Sequence, residues 1–118
     1  MIQNIFYTSA RGGVKIYGTY ETKKKYYITQ TNKEDKEYFE HPTIKPLNII
    51  ENLILNSSKE NDIILDPFMG SGTTGVACKK HKRDFIGIEL DHHFFEIAKN
   101  NVAESKTTPS LTISFCIL

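Results

Sequence analysis

Asp66-Pro67-Phe68-Met69-Gly70-Ser71-Gly72-Thr73-Thr74-Gly75 contains a G-x-G-x-x-G directly after the apolar run Ile63-Ile64-Leu65. A strand followed by such a loop and then a helix brings three features to one point. The backbone can approach a ligand closely, N–H groups are free, and the positive end of a helix dipole lies alongside. The next apolar run, Phe85-Ile86-Gly87-Ile88, ends in Glu89, and 89 − 70 = 19 residues separate that carboxylate from the first glycine. An acidic residue about 20 positions on is where the hydroxyl pair of a ribose is gripped. The combination points to an adenosine-type cofactor. A phosphate-cradling P-loop is disfavoured, because no Lys-Ser or Lys-Thr follows the glycines.

The elements that must position these residues are legible in the hydrophobic pattern. Pro46 suits the first turn of a helix, where its missing N–H costs nothing. Leu47, Ile50, Leu53 and Ile54 then recur at helical spacing until Asn56-Ser57-Ser58. Asn61-Asp62 turns into the strand Ile63–Leu65, the glycine loop follows, and a helix runs from about Thr73 to Lys80. Arg83-Asp84 turns into the strand Phe85–Ile88. Asp91 can cap a further helix whose Phe94, Ile97, Ala98 and Val102 share a face. Alternation of helix and strand predicts an α/β fold with parallel strands and crossover helices. Leu111 to Leu118 reads as one more buried strand or as a frayed end. Residues 1–40 differ, with short aromatic and β-branched runs (Ile5–Thr8, Lys15–Tyr20, Tyr26–Thr29) broken by polar turns, predicting two or three strands.

Bulk composition narrows the setting. The 118 residues suit one small domain or a piece of a larger one. A formal net charge of +1 does not by itself mark a nucleic-acid binder. The two cysteines, Cys78 and Cys116, match neither a C-x-x-C site nor a disulfide framework, which fits a reducing, cytoplasmic location. No run reaches the roughly 18 apolar residues of a membrane span, so no membrane is expected. His81 and His92-His93 lack metal-ligand spacing and read as surface or cap residues, so no metal site is expected.

The glycine loop and Glu89 alone leave NAD and S-adenosylmethionine equally open, since both place a ribose in the same position. The flanking segments decide. "HPTIKP" at 41–46, "DPFMGSGTTG" at 66–75 and "GIEL" at 87–90 resemble the permuted branch of the DNA amino-methyltransferases that modify adenine N6 or cytosine N4. The three segments have that branch's order, and Ile44 replaces the glutamine more usual in the first. The resemblance spans about residues 38–104. It implies a partial Rossmann-like, S-adenosylmethionine-dependent methyltransferase fold. Residues 1–40 would be the tail of a target-recognition region, 41–104 the cofactor-binding part and 105–118 a C-terminal tail or edge strand. It further implies that S-adenosylmethionine is held by Thr43, Lys45, Asp66, Phe68, Gly70, Ser71, Gly72, Thr73 and Glu89. Thr43 and Lys45 would approach the methionine carboxylate, and Asp66 the ammonium or sulfonium. Phe68 would pack beside the cofactor or simply belong to the core. Gly70 and Gly72 would let backbone pass close to the methionine part, and Glu89 would accept from the ribose hydroxyls.

Methylating an exocyclic amine also needs groups that accept its hydrogens, so that the nitrogen can pyramidalise toward the methyl. In this family a short polar segment followed by Pro-Pro and an aromatic does so, the aromatic stacking on the flipped-out base. The four prolines here, 42, 46, 67 and 109, include no adjacent pair. No catalytic residue is therefore assigned. The chain is expected to be the C-terminal portion of such an enzyme, inactive alone. Double-stranded DNA would be reached through a fuller enzyme or with a second chain supplying the catalytic half. "ETKKKYY" at 21–27 could touch DNA phosphates, or could be a solvated strand face. Two other functions remain open, a non-catalytic remnant or binding module and a small NAD-binding module. Asp66 weighs against the latter, because it would repel a pyrophosphate.

Overall fold

A computed structural model describes residues 2–4, 16–23, 26–28, 46–105 and 111–118. Two short strands, β1 (Ile2–Asn4) and β2 (Tyr26–Ile28), pair antiparallel. The rest alternates: helix α1 (Leu47–Ser57), strand β3 (Ile63–Asp66), helix α2 (Thr73–Lys80), strand β4 (Asp84–Glu89), helix α3 (His92–Glu104) and strand β5 (Ile113–Ile117). β3, β4 and β5 form a parallel sheet in that order. The expected α/β class, parallel strands and crossover helices are therefore present. Of the N-terminal expectations, Tyr26–Thr29 corresponds to β2. Ile5–Thr8 lies outside the described residues. Lys15–Tyr20 is corrected: residues 16–20 form a bend leading into a turn.

That bend has a physical cause. Asn56, fully buried at the end of α1, accepts the Tyr17 N–H through its backbone carbonyl (2.8 Å). Its side chain accepts from the Thr22 hydroxyl (2.7 Å) and donates to the Thr22 carbonyl (2.6 Å). Backbone groups around Tyr17 and Thr22 are thus spent on one asparagine.

In-register neighbours of a parallel sheet share a face. Ile64, Phe85 and Ile113, with Phe115, turn toward the helices and meet Ile54, Met69, Ala77, Cys78 and Ala98 in the core. Phe95, not Phe94, supplies the aromatic of α3 to this core, edge-on to Phe115 with ring centroids 6.2 Å apart. Phe94 instead lies beside His93. Both phenylalanines sit at helical spacing to Ala98, so periodicity alone could not choose between them. In α1, Ile49 is buried more deeply than the predicted Leu47, Ile50 or Leu53. β5 is a regular strand, but only partly buried. Asp91 caps α3 as expected, Oδ1 accepting from the N–H groups of His93 (2.8 Å) and Phe94 (3.2 Å).

Candidate cofactor site

β3 delivers Asp66 to the carboxyl end of the sheet, and the chain turns there immediately. Asp66 Oδ1 accepts the Phe68 N–H at 3.0 Å, and Oδ2 accepts the Thr74 hydroxyl at 2.6 Å. One buried carboxylate therefore braces both ends of the loop. A short bond to a charged acceptor of this kind is worth about 1.5–3 kcal/mol. The Met69 N–H donates to the Ile88 carbonyl at 3.0 Å, which lays the loop across the end of β4. Met69 itself is buried, while Phe68 is 81% exposed. Phe68 is consequently no core residue, which corrects that reading.

Gly70 and Gly72 both have left-handed backbone, φ 55° and 87°. At Gly72 a second constraint applies. A Cβ there would lie 3.0 Å from both Cα and Cβ of Ala98 and 3.1 Å from its carbonyl oxygen. The geometry thus gives Gly72 a packing role against α3 as well as a turn role. Gly75 has a related one: its Cβ would meet Val102 at 2.7 Å and Phe85 at 2.8 Å, so its absence lets α2 settle between β4 and α3. Ser71 and Thr73 are buried. The Ser71 carbonyl accepts from Asn101 Nδ2 at 2.9 Å, a second tie between loop and α3.

Glu89 reaches back across this loop. Its Oε2 accepts the Gly70 N–H at 2.9 Å, while Oε1 accepts those of Leu90 (2.9 Å) and Asp91 (3.0 Å). The carboxylate 19 residues beyond Gly70 is thus spatially beside it, as the spacing rule requires. Two acidic groups at one end of the sheet favour a cationic ligand over a pyrophosphate. Asp66, Phe68, Gly70, Ser71, Gly72, Thr73 and Glu89 are brought together by β3, α2 and β4. Thr43, Lys45 and the neighbouring His41 lie outside the described residues. No cluster of three or more potential metal-ligating side chains occurs among the described residues, and no helix there is long and apolar enough to cross a membrane.

Sequence reasoning missed three residues that hold the site's frame. Thr74 read only as part of the glycine motif and the start of a helix, yet it locks Asp66. Arg83 read as a turn, yet it is buried, donating to Ser58 Oγ (3.0 Å), the Ser58 carbonyl (2.8 Å) and the His81 carbonyl (2.6 Å). Lys79, also buried, donates to the Val102 and Ala103 carbonyls at 2.7 and 3.1 Å, closing the last turn of α3. Lys79 and Arg83 both lie in the basic run Lys79-Lys80-His81-Lys82-Arg83, where nothing in the sequence marks which side chain is buried or names its partner.

Comparison with known proteins agrees with this geometry. A DNA methylase family model for N6 and N4 enzymes matches residues 6–100. The chain is 51% identical over 77 residues to the type II methyltransferase M2.LlaDCHI of Lactococcus lactis subsp. cremoris, covering 65% of this chain and 29% of that protein. It is 39% identical over 101 residues to the type II methyltransferase M2.MboI of Moraxella bovis, 86% of this chain and 36% of that protein. Among solved structures, the M1.HpyAVI complex with SAM superposes with a TM-score of 0.54 at 52% identity, over 56% of this chain and 32% of that one. The chain thus spans about a third of the length of these relatives. The match over residues 6–100 shows that the chain belongs to the N6/N4 DNA methylase family.

Proposed function

We propose that this chain is the S-adenosylmethionine-binding part of a DNA amino-methyltransferase whose target is adenine N6, and that it transfers methyl groups only with a partner supplying the Pro-Pro-aromatic segment. The observation that carries the reading is the Glu89 carboxylate fixed beside the Gly70 N–H at the carboxyl end of the sheet. When bound, S-adenosylmethionine supplies an electrophilic methyl on a sulfonium. Glu89 accepts from the ribose hydroxyls while its bonds to Leu90 and Asp91 hold it in place. Phe68 packs alongside the cofactor. Gly70, Ser71, Gly72 and Thr73 form the loop wall, and Thr43 and Lys45 meet the methionine carboxylate. Asp66 acts through its negative charge and through the loop it braces. The wording of DPFMGSGTT supports adenine over cytosine, by its likeness to the adenine-modifying members. Residues 1–40 then belong to the target-recognition region and 41–104 to the cofactor part of an enzyme that meets double-stranded DNA in the cytoplasm.

Titration calorimetry with S-adenosylmethionine and its demethylated product tests the cofactor. Binding is expected to both, and Glu89→Gln should weaken it by about 1–3 kcal/mol, the cost of losing a charged acceptor. Tight binding of NAD with no response to S-adenosylmethionine overturns the reading. Incubation with labelled cofactor and unmethylated DNA should transfer no label above the no-protein control. Positioning of the amine, which can supply roughly 7–11 kcal/mol of the barrier, has no group here to provide it.

A further inference from the structure

A buried residue just outside a helix has no partner within that helix for its carbonyl. Ser71 is such a residue. It lies one position before Gly72, the N-cap of α2, whose own carbonyl accepts the first helical bond from the Val76 N–H at 3.0 Å. The Ser71 carbonyl is taken instead by Asn101 Nδ2 at 2.9 Å, from 30 residues away. Asn101 is half-buried and lies one helical turn beyond Ala98, the residue that Gly72 packs against. One face of α3 therefore meets two successive residues of the loop. Lys79 holds that part of α3 to α2, its Nζ donating to the Val102 and Ala103 carbonyls.

The bond matters because of the peptide on which it ends. The peptide group between Ser71 and Gly72 has its oxygen held by Asn101 and its N–H held by the Met69 carbonyl at 2.9 Å. Gly72 has left-handed backbone, φ 87° and ψ 18°, which glycine adopts freely because it has no Cβ. The same freedom eases rotation of the peptide that precedes it. Rotation would swing the Ser71 carbonyl off α3 and take the Gly72 N–H from Met69, changing both the shape and the polarity of the loop wall. The carboxylates of Asp66 and Glu89 hold neither end of this peptide. Among the described side chains, Asn101 is the one that does.

Resting on the function proposed above, we infer that Asn101 is a positioning residue for the cofactor. It fixes the Ser71–Gly72 peptide, and through it the part of the loop wall that receives the methionine portion of S-adenosylmethionine. It acts through Ser71, not on the ligand. The adenosine portion, gripped by Glu89 at the end of β4, does not depend on it.

Titration calorimetry of the full chain separates the two portions, with S-adenosylmethionine as one probe and methylthioadenosine, which lacks the amino-acid arm, as the other. Asn101→Leu keeps the volume and removes the donor. It should weaken S-adenosylmethionine by about three- to tenfold, the loss of one hydrogen bond, and leave methylthioadenosine unchanged. Asn101→Asp turns an acceptor on the carbonyl and should weaken S-adenosylmethionine at least as much; it carries the test if Asn101→Leu does not fold. Asn100→Asp puts the same charge on the exposed neighbour and should leave both affinities at the parent's value. Glu89→Gln should weaken both compounds. All titrations are made below the onset of unfolding seen by circular dichroism. Hydrogen exchange in the unliganded chain adds a second readout. The Gly72 amide should exchange about three- to tenfold faster in Asn101→Leu, with the β4 amides unchanged. A melting temperature that falls while S-adenosylmethionine affinity stays at the parent's value would make Asn101 a stabilising contact only, and would overturn the proposal. Equal weakening of both compounds, or unchanged exchange at Gly72, would overturn it as well. A parent chain that binds neither compound overturns the proposed function, and this role with it.

Discussion

Replacing Gly72 by alanine tests whether the loop and α3 are held at backbone distance. Two costs add. A non-glycine residue at φ 87° pays about 1–2 kcal/mol for left-handed backbone. The new Cβ would also stand 3.0 Å from the Cα and Cβ of Ala98, closer than ordinary contact. Since the nearest atoms include helix backbone, relief requires α3 to move, and overpacking of this kind costs about 1–3 kcal/mol. Together they should destabilise the chain by roughly 2–5 kcal/mol, or about 8–20 °C in melting temperature at about 4 °C per kcal/mol. Thermal and urea unfolding followed by circular dichroism would measure it. The Ala98→Gly background isolates part of the packing cost, because it removes the contact with the Ala98 Cβ and leaves those with its Cα and carbonyl oxygen. In that background Gly72→Ala should cost less, by about 0.5–1.5 kcal/mol in a double-mutant cycle. A Gly72→Ala protein melting within about 2 °C of the parent would refute the close approach.

Thr74→Val keeps the shape of the side chain but leaves Asp66 Oδ2 without its 2.6 Å hydroxyl donor. It should cost about 1.5–3 kcal/mol in urea unfolding, with Thr74→Ser close to the parent. Burial pushes the Cys78 thiol up to about 12, against the opposing pull of Arg83. At pH 8 iodoacetamide should therefore modify only the exposed Cys116 in the native chain and both cysteines after denaturation, as mass spectrometry would read. Because the folded thiol holds its proton to higher pH than the unfolded one, its contribution is full below about 9 and is lost as pH rises toward about 12. Melting temperatures of the parent should fall across that alkaline range more steeply than those of Cys78→Ala.

The glycine loop and the elements on either side of it were readable because each announces itself locally. Ile63–Leu65 is apolar and β-branched, Asp91 is a good cap, and 19 residues between Gly70 and Glu89 is a property of one strand-helix-strand unit. What could not be read depended on contacts distant in sequence. Gly72 looked like a ligand-facing glycine, and only the position of Ala98, 26 residues on, reveals that it also admits a helix. Lys15–Tyr20 has strand-like composition, yet the Tyr17 N–H is taken up by Asn56 and residues 16–20 bend into a turn. The choice of Phe95 over Phe94 was settled by Phe115, which no period within α3 can see.

Arg83 has a consequence for the order in which the molecule opens. Its guanidinium joins Ser58, at the end of α1, to His81, at the end of α2. Beside it the Asn61 N–H meets the Lys82 carbonyl at 2.8 Å and the Asp84 N–H meets that of Asp62 at 2.9 Å. These ties all lie at the amino ends of β3 and β4. The opposite pole is closed chiefly by carboxylates, Asp66 and Glu89, holding loop N–H and hydroxyl groups. The first pole joins helix to helix and strand to strand through a buried guanidinium and paired backbone, whereas the second ties a loop to the strand ends beside it. Opening should therefore begin at the loop, where a ligand must enter, and leave the spacing of the strands beneath it unchanged.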